Sequence, residues 1–235
     1  MELKVGIICA GDMELEPFLP HIQNARITEK AMLSFYESAI NEVNVVALFS
    51  GVGKTNATIA TQILIDTFKV DVIINAGTAG GLHKDLDVFD TVISTEVAHH
   101  DVHGEILTAF HPWMPSIYFK TDDSLISLSK RAIEGLESEN KIYFGRMVTG
   151  EKFIEDHGRD EIIALFDPLS ADMETASIAH VCYVNRVPYI AIRTITDTAT
   201  HAGVDNFEKN CPRASKISKD IVLSLLEEMK KHSHL

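Results

Sequence analysis

The chain is poor in cysteine, tryptophan and positive charge. Its 235 residues include three cysteines and one tryptophan, and 21 Lys and Arg stand against 34 Asp and Glu, a formal net charge of −13. Cys9, Cys182 and Cys211 lack close pairing and any Cys-x-x-Cys spacing, which argues against a disulfide framework or a zinc ribbon. The excess negative charge repels nucleic-acid phosphates and anionic lipid. We therefore expect neither a nucleic acid nor a membrane as a partner.

Long apolar runs are also absent. The run from Val5 to Ala10 is shorter than a secretory signal requires, and Gly11-Asp12 closes it. No stretch approaches the length of a membrane-spanning helix. Hydrophobic residues make up 46% of the chain and charged residues 23%, which is ordinary for a globular protein. The sequence predicts a cytoplasmic protein.

Apolar segments with the continuous pattern of buried strands alternate with amphipathic helices. Strands are predicted at 3–10, 72–75, 91–97, 142–148 and 187–195, and helices at 54–68, at 123–136, from about Glu174, and over a last stretch around Ile217 to Met229. Asp12 is expected to cap a helix that carries Leu15, Phe18, Leu19 and Ile22 on one face. A hairpin is expected to join 32–40 to 43–49 through Asn41-Glu42. The pattern favours an α/β fold, a three-layer α/β/α sandwich around a mixed, twisted central sheet, with residues 1–235 as a single domain.

The segment from His99 to Tyr118 shows no clear periodicity and contains Pro112, Trp113 and Pro115. So long a loop is usually functional, disordered or at an interface. Four histidines, His99, His100, His103 and His111, invite a metal interpretation, but the H-E-x-x-H spacing is absent. We expect no metal and no cofactor.

Two glycine-rich turns resemble nucleotide-binding motifs only in part. Ser50-Gly51-Val52-Gly53-Lys54-Thr55 has Leu48 where a phosphate-binding loop requires glycine, so a strand-to-helix turn is the better account. Gly77-Thr78-Ala79-Gly80-Gly81 follows a buried strand and begins no evident helix, so it is not a dinucleotide fingerprint. It is either a tight turn or a place where the backbone passes close to a ligand, with the Thr78 hydroxyl and the backbone of Ala79 and Gly80 offered to a sugar or base.

Three carboxylates follow three separate apolar, strand-like segments. Glu14, Glu174 and Asp197 each have an ordinary alternative, since acidic residues favour the first turn of a helix and aspartate often caps a turn. The carboxyl ends of strands in an open α/β sheet line a common ligand crevice. Carboxylates collected there can divide the work, one transferring protons and another holding hydroxyl groups.

At these residues the chain resembles the 5′-methylthioadenosine/S-adenosylhomocysteine nucleosidases of the purine nucleoside phosphorylase superfamily. The resemblance covers nearly the whole chain, from Gly6-Ile7-Ile8 to Phe207. Its strongest elements are the segments 71–81, 50–54, 173–176 with 178–182, and 193–197. It implies a nucleoside phosphorylase/hydrolase-like fold, a homodimer, a nucleoside substrate, and hydrolysis of the N-ribosidic bond to adenine and a 5-thioribose, with methionine salvage among the possible roles.

The resemblance also implies a role for each matching residue. Asp197 would protonate the purine N7 and Glu14 would activate water. Glu174 would hold the ribose 2′- and 3′-hydroxyls, with Met173 packed on the sugar. Phe153 would stack on adenine and the Ile154 backbone would contact its edge. Further pocket positions are Val52, Thr78, Ala79, Gly80, Arg193, Thr196 and Phe207.

Two segments depart from the family pattern. The family usually has Ala-Met-Glu-Glu-Glu where this chain has Ala10-Gly11-Asp12-Met13-Glu14, and Glu16 lies nearby as a second candidate base. The loop at 101–115 also departs. In the family it reaches into the neighbouring subunit's pocket, and here Leu107, Phe110, Trp113 and Pro115 are the candidate contacts.

Three alternatives remain open at this point. A phosphorylase would need cationic donors for phosphate, but no arginine follows Gly11-Asp12 until Arg26, so water is favoured as the nucleophile. A hydrolase of futalosine-type or other purine nucleosides would keep the chemistry and change the substrate. A nucleoside-binding protein without catalysis would share the fold, because fold does not fix function.

Overall fold

The computed structural model describes residues 3–22, 24–136, 139–154, 158–199 and 203–232. These ranges form ten strands, seven α-helices and a 3-10 helix at Glu16–His21. The strands, β1 to β10 in chain order, are Lys4–Cys9, Arg26–Lys30, Leu33–Ile40, Val43–Phe49, Val72–Gly81, Thr91–His99, Phe119–Lys120, Ile142–Thr149, Ser170–Asp172 and Tyr189–Asp197. The helices, α1 to α7, are Asp12–Leu15, Lys54–Asp66, Gly104–Ala109, Asp123–Glu134, Arg159–Phe166, Thr175–Asn185 and Val204–His232.

The strands form one mixed sheet. β1 pairs in parallel with β4 and β5, and β5 pairs in parallel with β10, while β3 and β2 extend the edge beyond β4 in antiparallel pairing. β10 also pairs antiparallel with β6, β6 and β8 pair in parallel, as do β8 and β9, and β9 returns antiparallel to β5. Five strands therefore close into a ring, a feature that apolar periodicity does not reveal.

Helices cover both faces of the sheet. Ile7 of β1 packs in one core with Leu225 of α7, whereas the next residue, Ile8, packs in a second core with Leu64 of α2. Successive side chains of a strand point to opposite faces, so one strand serves both cores. α4 lies against α7 on the first side and α6 against α2 on the second. The predicted three-layer sandwich around a mixed sheet is confirmed.

The predicted hairpin is also confirmed. Ile40 lies opposite Val43 in the antiparallel β3–β4 pair, and the two residues between them, Asn41 and Glu42, have φ angles of 50° and 64°. Two positive φ angles in a two-residue connection are the geometry of a type I′ turn, whose twist matches that of the flanking strands.

The helix predicted from Asp12 is wrong in its extent and its cap. α1 ends at Leu15 and the chain continues as the 3-10 helix, in which Pro17 and Pro20 supply no N–H for a continued α-helical ladder. Gly11 occupies the N-cap position. Leu19, expected in the apolar stripe, is 41% exposed, because the tighter 3-10 winding turns it away from the core that contains Phe18.

The strand predicted at 72–75 is in fact β5, which continues through the glycine-rich segment to Gly81. Glycine disfavours strands, but pairing with β10 on one side and with β1 and then β9 on the other holds this segment extended. Five short elements, β2, α3, β7, α5 and β9, were not predicted. No helix of the described residues is long and apolar enough to cross a membrane.

Candidate active site

A cavity of about 370 Å³ opens at the carboxyl ends of β1, β5 and β10, within the size range of small-ligand sites. All thirteen site residues predicted from the sequence line it, namely Glu14, Val52, Thr78, Ala79, Gly80, Phe153, Ile154, Met173, Glu174, Arg193, Thr196, Asp197 and Phe207. They come from seven separate parts of the chain. The sheet topology brings them together because β1, β5 and β10 run in parallel, side by side.

Glu14 is buried and held by four hydrogen bonds. Its Oε2 accepts the backbone N–H groups of Ala10 and Gly11 at 2.7 and 3.1 Å. Its Oε1 accepts the N–H and the hydroxyl of Thr78 at 2.7 and 2.8 Å. Four donors, two from the turn after β1 and two from β5, fix the direction of this carboxylate at the cavity wall. Glu16, the other candidate base, is exposed and does not line the cavity.

Gly77 makes room for this arrangement. A Cβ at position 77 would lie 2.4 Å from Glu14 Oε1, closer than atoms in contact can approach. The glycine-rich segment therefore lets the backbone of β5 pass close to the carboxylate of Glu14, a group of the protein itself. The predicted use of the Thr78 hydroxyl also changes, because its hydrogen goes to Glu14 instead of to a sugar or base.

Glu174 lines the same cavity as Glu14 and lies at the start of α6. It occupies the N-cap position, but its side chain makes no capping hydrogen bond, so the ordinary first-turn explanation does not account for it. Its Oε1 accepts the N–H of Gly53 at 2.9 Å and its Oε2 accepts Arg193 Nη2 at 3.2 Å. Burial raises the pKa of Glu174 to about 7, against the opposing effect of Arg193 and with a further upward contribution from Asp172.

Arg193 links the carboxylates. Its guanidinium, 1% exposed, donates to Asn75 Oδ1 and to the Thr78 carbonyl, both at 3.0 Å. It also lies 3.6 Å from Glu14 Oε1 and 3.5 Å from Asp172 Oδ2. Burial alone would lower the pKa of Arg193, but the three carboxylates outweigh it and hold that pKa above its ordinary value. Arg193 thus holds the acidic side chains in place, with its donors directed to protein acceptors.

Asp197 occupies a different environment from the other carboxylates. The β5–β10 register shifts by one residue between Ile195 and Asp197, and such a bulge re-aims the following side chain. Asp197 is 2% exposed, and its Oδ1 accepts the Thr196 hydroxyl at 2.9 Å. A Cβ at Gly80 would lie 3.2 Å from its Oδ2. Burial raises the pKa of Asp197, opposed by the Thr196 hydrogen bond and by the charge of Arg159.

Two aromatic side chains line the cavity. The rings of Phe153 and Phe207 meet nearly edge to face, with centroids 6.4 Å apart and planes at 72°. Phe153 remains 37% exposed. A cavity that holds both aromatic rings and hydrogen-bonding groups suits a ligand with a flat aromatic part and a polar part.

Sequence reasoning missed several residues of the site. Asp172 accepts the N–H groups of Glu174 and Thr175 at 3.1 and 3.0 Å, so it caps α6 and positions Glu174. Its place two residues before Glu174 is the signal that could have revealed it. Arg159 lines the cavity beside the end of β5, and nothing in its local sequence pattern indicates this.

The irregular segment after β6 divides into buried and exposed parts. Leu107 is 4% exposed within its own chain, so of the four candidate contacts it has the least surface to offer a partner. Phe110 and Trp113 are 65% and 66% exposed, and Pro115 is exposed as well. Within the described residues no group of three or more His, Cys, Asp or Glu is placed to hold a metal ion.

Comparisons with known proteins agree with this geometry. The model of the phosphorylase superfamily matches residues 4–227. A 5′-methylthioadenosine/S-adenosylhomocysteine nucleosidase from an Exiguobacterium species is 40% identical, with 97% of this chain and 99% of the relative covered. A nucleosidase of that name from Neisseria meningitidis, solved in complex with methylthio-immucillin-A, has a TM-score of 0.87 at 32% identity, with 95% of this chain and 98% of that chain covered. A futalosine hydrolase from Helicobacter pylori has a TM-score of 0.86 at 26% identity, with coverages of 96% and 98%.

Proposed function

The chain belongs to the phosphorylase superfamily, and we propose that it is a hydrolase that cleaves the N-ribosidic bond of 5′-methylthioadenosine and S-adenosylhomocysteine. The products are adenine and the corresponding 5-thioribose. One observation carries this proposal: the buried acid Asp197, at the end of β10, and the fixed carboxylate Glu14, in the helix that follows β1, line one cavity. Proton donation to a leaving base and activation of water require two such groups.

The reaction divides between these two groups. As the bond from C1′ to N9 breaks, its electrons pass into the purine, and Asp197 donates a proton to N7. Water attacks C1′ of the oxocarbenium-like sugar and gives its proton to Glu14. The raised pKa of Asp197 keeps the acid protonated nearer to neutral pH, where proton transfer to the base is most useful. The proton lost by Asp197 and the proton gained by Glu14 balance.

Glu174 binds the sugar in this proposal. Its carboxylate, positioned by Gly53 and Arg193, accepts hydrogen bonds from the 2′- and 3′-hydroxyls, and Met173 packs on the ribose. Phe153 stacks on adenine and the Ile154 backbone contacts its edge, with Phe207 completing the apolar wall. Binding energy at the sugar and base orients C1′ for attack.

Water is favoured over phosphate by the placement of the cations that line the cavity. Arg193 already contacts three carboxylates, Lys152 is exposed at the mouth, and Arg159 lies at the end of β5 near Asp197. Phosphate at the sugar would need a buried cation near Glu14 whose donors face the cavity, and the described residues that line the cavity supply none.

The test is to incubate the protein with 5′-methylthioadenosine, S-adenosylhomocysteine, futalosine and inosine, each with and without phosphate, and to follow the free base. We expect adenine from the first two compounds at rates independent of phosphate. A strict requirement for phosphate would overturn the hydrolase assignment. A preference for futalosine in competition would move the substrate assignment to the alternative, and no released base would identify a binding protein.

We also propose that the protein is a homodimer. Phe110 and Trp113 present a pair of large exposed apolar side chains, and contiguous exposed apolar surface is typical of interaction sites. Trp113→Ser should raise the dimer dissociation constant by at least about tenfold, as for a central aromatic contact, in sedimentation measurements at several concentrations. Met32→Ser, at a fully exposed position in the β2–β3 turn, is the control. Identical sedimentation of both variants and the parent would contradict the proposal.

We further propose that the protein is cytoplasmic, that it acts in methionine salvage and that residues 1–235 form a single domain. The three cysteines are free and buried, which suits a reducing compartment. One sheet joins strands from both ends of the chain, which supports a single domain. Deletion of the gene followed by growth on methylthioadenosine as the sulfur source would test the salvage role.

A further inference from the structure

Arg159 is a buried cation at a position that its own helix does not favour. It is the first residue of α5, where the helix dipole disfavours positive charge. Its residue exposure is nevertheless 7%, and its side chain lines the cavity. Burying a guanidinium is costly unless its donors are used. Nη1 donates to the Gly81 carbonyl at 2.8 Å, whereas Nε has no hydrogen-bond partner among the described residues.

The hydrogen bond from Arg159 to the Gly81 carbonyl places the positive charge beside Asp197. Gly80 is the register partner of Asp197 in the β5–β10 pair, and Gly81 is the next residue. A Cβ at Gly81 would lie 3.4 Å from the Asp197 carbonyl oxygen, and one at Gly80 would lie 3.2 Å from Asp197 Oδ2. The guanidinium therefore grips the strand end against which the acid lies.

The surroundings of Asp197 leave Arg159 as the cation that acts on it. β5 presents glycines at this point, and its own strand presents the Thr196 hydroxyl. α7 presents the Cys211 thiol and the Asn210 amide, which donates to the Thr196 carbonyl. The other charged residues that line the cavity are Asp12, Glu14, Lys152, Asp172, Glu174 and Arg193, and Arg193 is engaged by three of these carboxylates. The positive charge of Arg159 lowers the pKa that burial raises in Asp197.

We propose that Arg159 is a positioning residue for Asp197, fixing the Gly80–Gly81 wall behind the acid and placing a positive charge on that side of it. The inference rests on the proposed role of Asp197 as the proton donor. A buried carboxyl without a nearby cation would hold its proton too tightly for efficient transfer, and an exposed one would lose it at neutral pH. Arg159 supplies the intermediate case, since general-acid catalysis is most effective when the acid's pKa lies near the working pH.

The pH profile of kcat/KM for 5′-methylthioadenosine tests this inference, because a merely structural role would lower the rate without moving the profile. The parent protein should lose activity at alkaline pH as Asp197 loses its proton. In Arg159→Gln this alkaline limb should move up by about one pH unit, the effect of removing a nearby opposite charge, and neutral-pH turnover should fall several-fold. Arg159→Lys keeps the charge and should restore most of the limb's position.

Arg131→Gln removes the same charge from the exposed surface of α4 and should leave the limb unmoved. If Arg159→Gln fails to fold, Arg159→Met takes its place, since it keeps most of the side-chain length and removes the charge, and its alkaline limb should move up by the same amount. If the parent is active and Arg159→Gln has the same alkaline limb, the proposed role of Arg159 is overturned and the proposed function stands. A parent that releases no adenine would overturn the proposed function instead.

Discussion

Replacing Asp197 with asparagine should lower kcat for adenine release from 5′-methylthioadenosine by about 10²–10⁴-fold, the usual contribution of a general acid. The amide has nearly the same shape and can still meet the Thr196 hydroxyl, so the affinity for adenine or a non-hydrolysable nucleoside should stay within a few-fold. Rapid-quench assays for turnover and calorimetry for binding measure the two quantities separately. Turnover equal to that of the parent would remove Asp197 from the acid role.

Stability should respond to Asp197→Asn in the opposite sense. A carboxyl whose pKa is raised on folding binds its proton more tightly in the folded state, so stability falls as pH rises from its ordinary pKa toward the raised value. The folded state pays this penalty at neutral pH, and asparagine does not. Asp197→Asn should therefore be at least as stable as the parent at pH 7 and should lose the alkaline limb of activity. Glu174→Gln should differ from Asp197→Asn in its kinetics: it should raise KM, because the contact with the sugar is lost.

Some features of the fold can be predicted from the sequence and others cannot. Apolar strands such as β1 and the Asn41-Glu42 turn carry their own local signals, so the layered fold and the hairpin can be predicted. The closing of β5, β10, β6, β8 and β9 into a ring depends on pairing between distant segments. The strand character of Gly77–Gly81 likewise comes from its neighbours, because glycine has no intrinsic preference for strands.

The site shows the same division. The candidate residues were found because carboxylates after strands share an edge of the sheet, together with the family resemblance. The contacts between them could not be found this way. Thr78 donates to Glu14 and Arg193 contacts three carboxylates, and these contacts depend on which side chains the fold buries together at the cavity. Arg159 was not predicted at all. The helix that carries it, α5, is short, and the position of the buried Arg159 side chain is set by its hydrogen bond to Gly81, a residue far away in the chain.

Replacing Glu14 with glutamine should also lower kcat by about 10²–10⁴-fold, whereas Glu16→Gln should leave it within a factor of two. The reason is geometric, since Glu14 lines the cavity and Glu16 is exposed. Steady-state assays of both variants decide which residue activates water. A large loss in Glu16→Gln with an active Glu14→Gln would reverse the assignment.

Glutamine at position 14 also disturbs the local hydrogen bonds. Both oxygens of Glu14 accept backbone N–H groups, and in glutamine an NH₂ donor replaces one of these oxygens and faces an N–H donor. Leaving such a buried donor unpaired costs about 1–3 kcal/mol, so a second route to the same group is needed. Gly77→Ala leaves Glu14 chemically intact but places a methyl group where its carboxylate lies. We expect Gly77→Ala to lose most of its turnover, while Gly135→Ala, with open space around the added methyl, keeps it. Full activity in Gly77→Ala would mean that the position of the Glu14 carboxylate does not limit the attack of water, because the only change made there is to displace it.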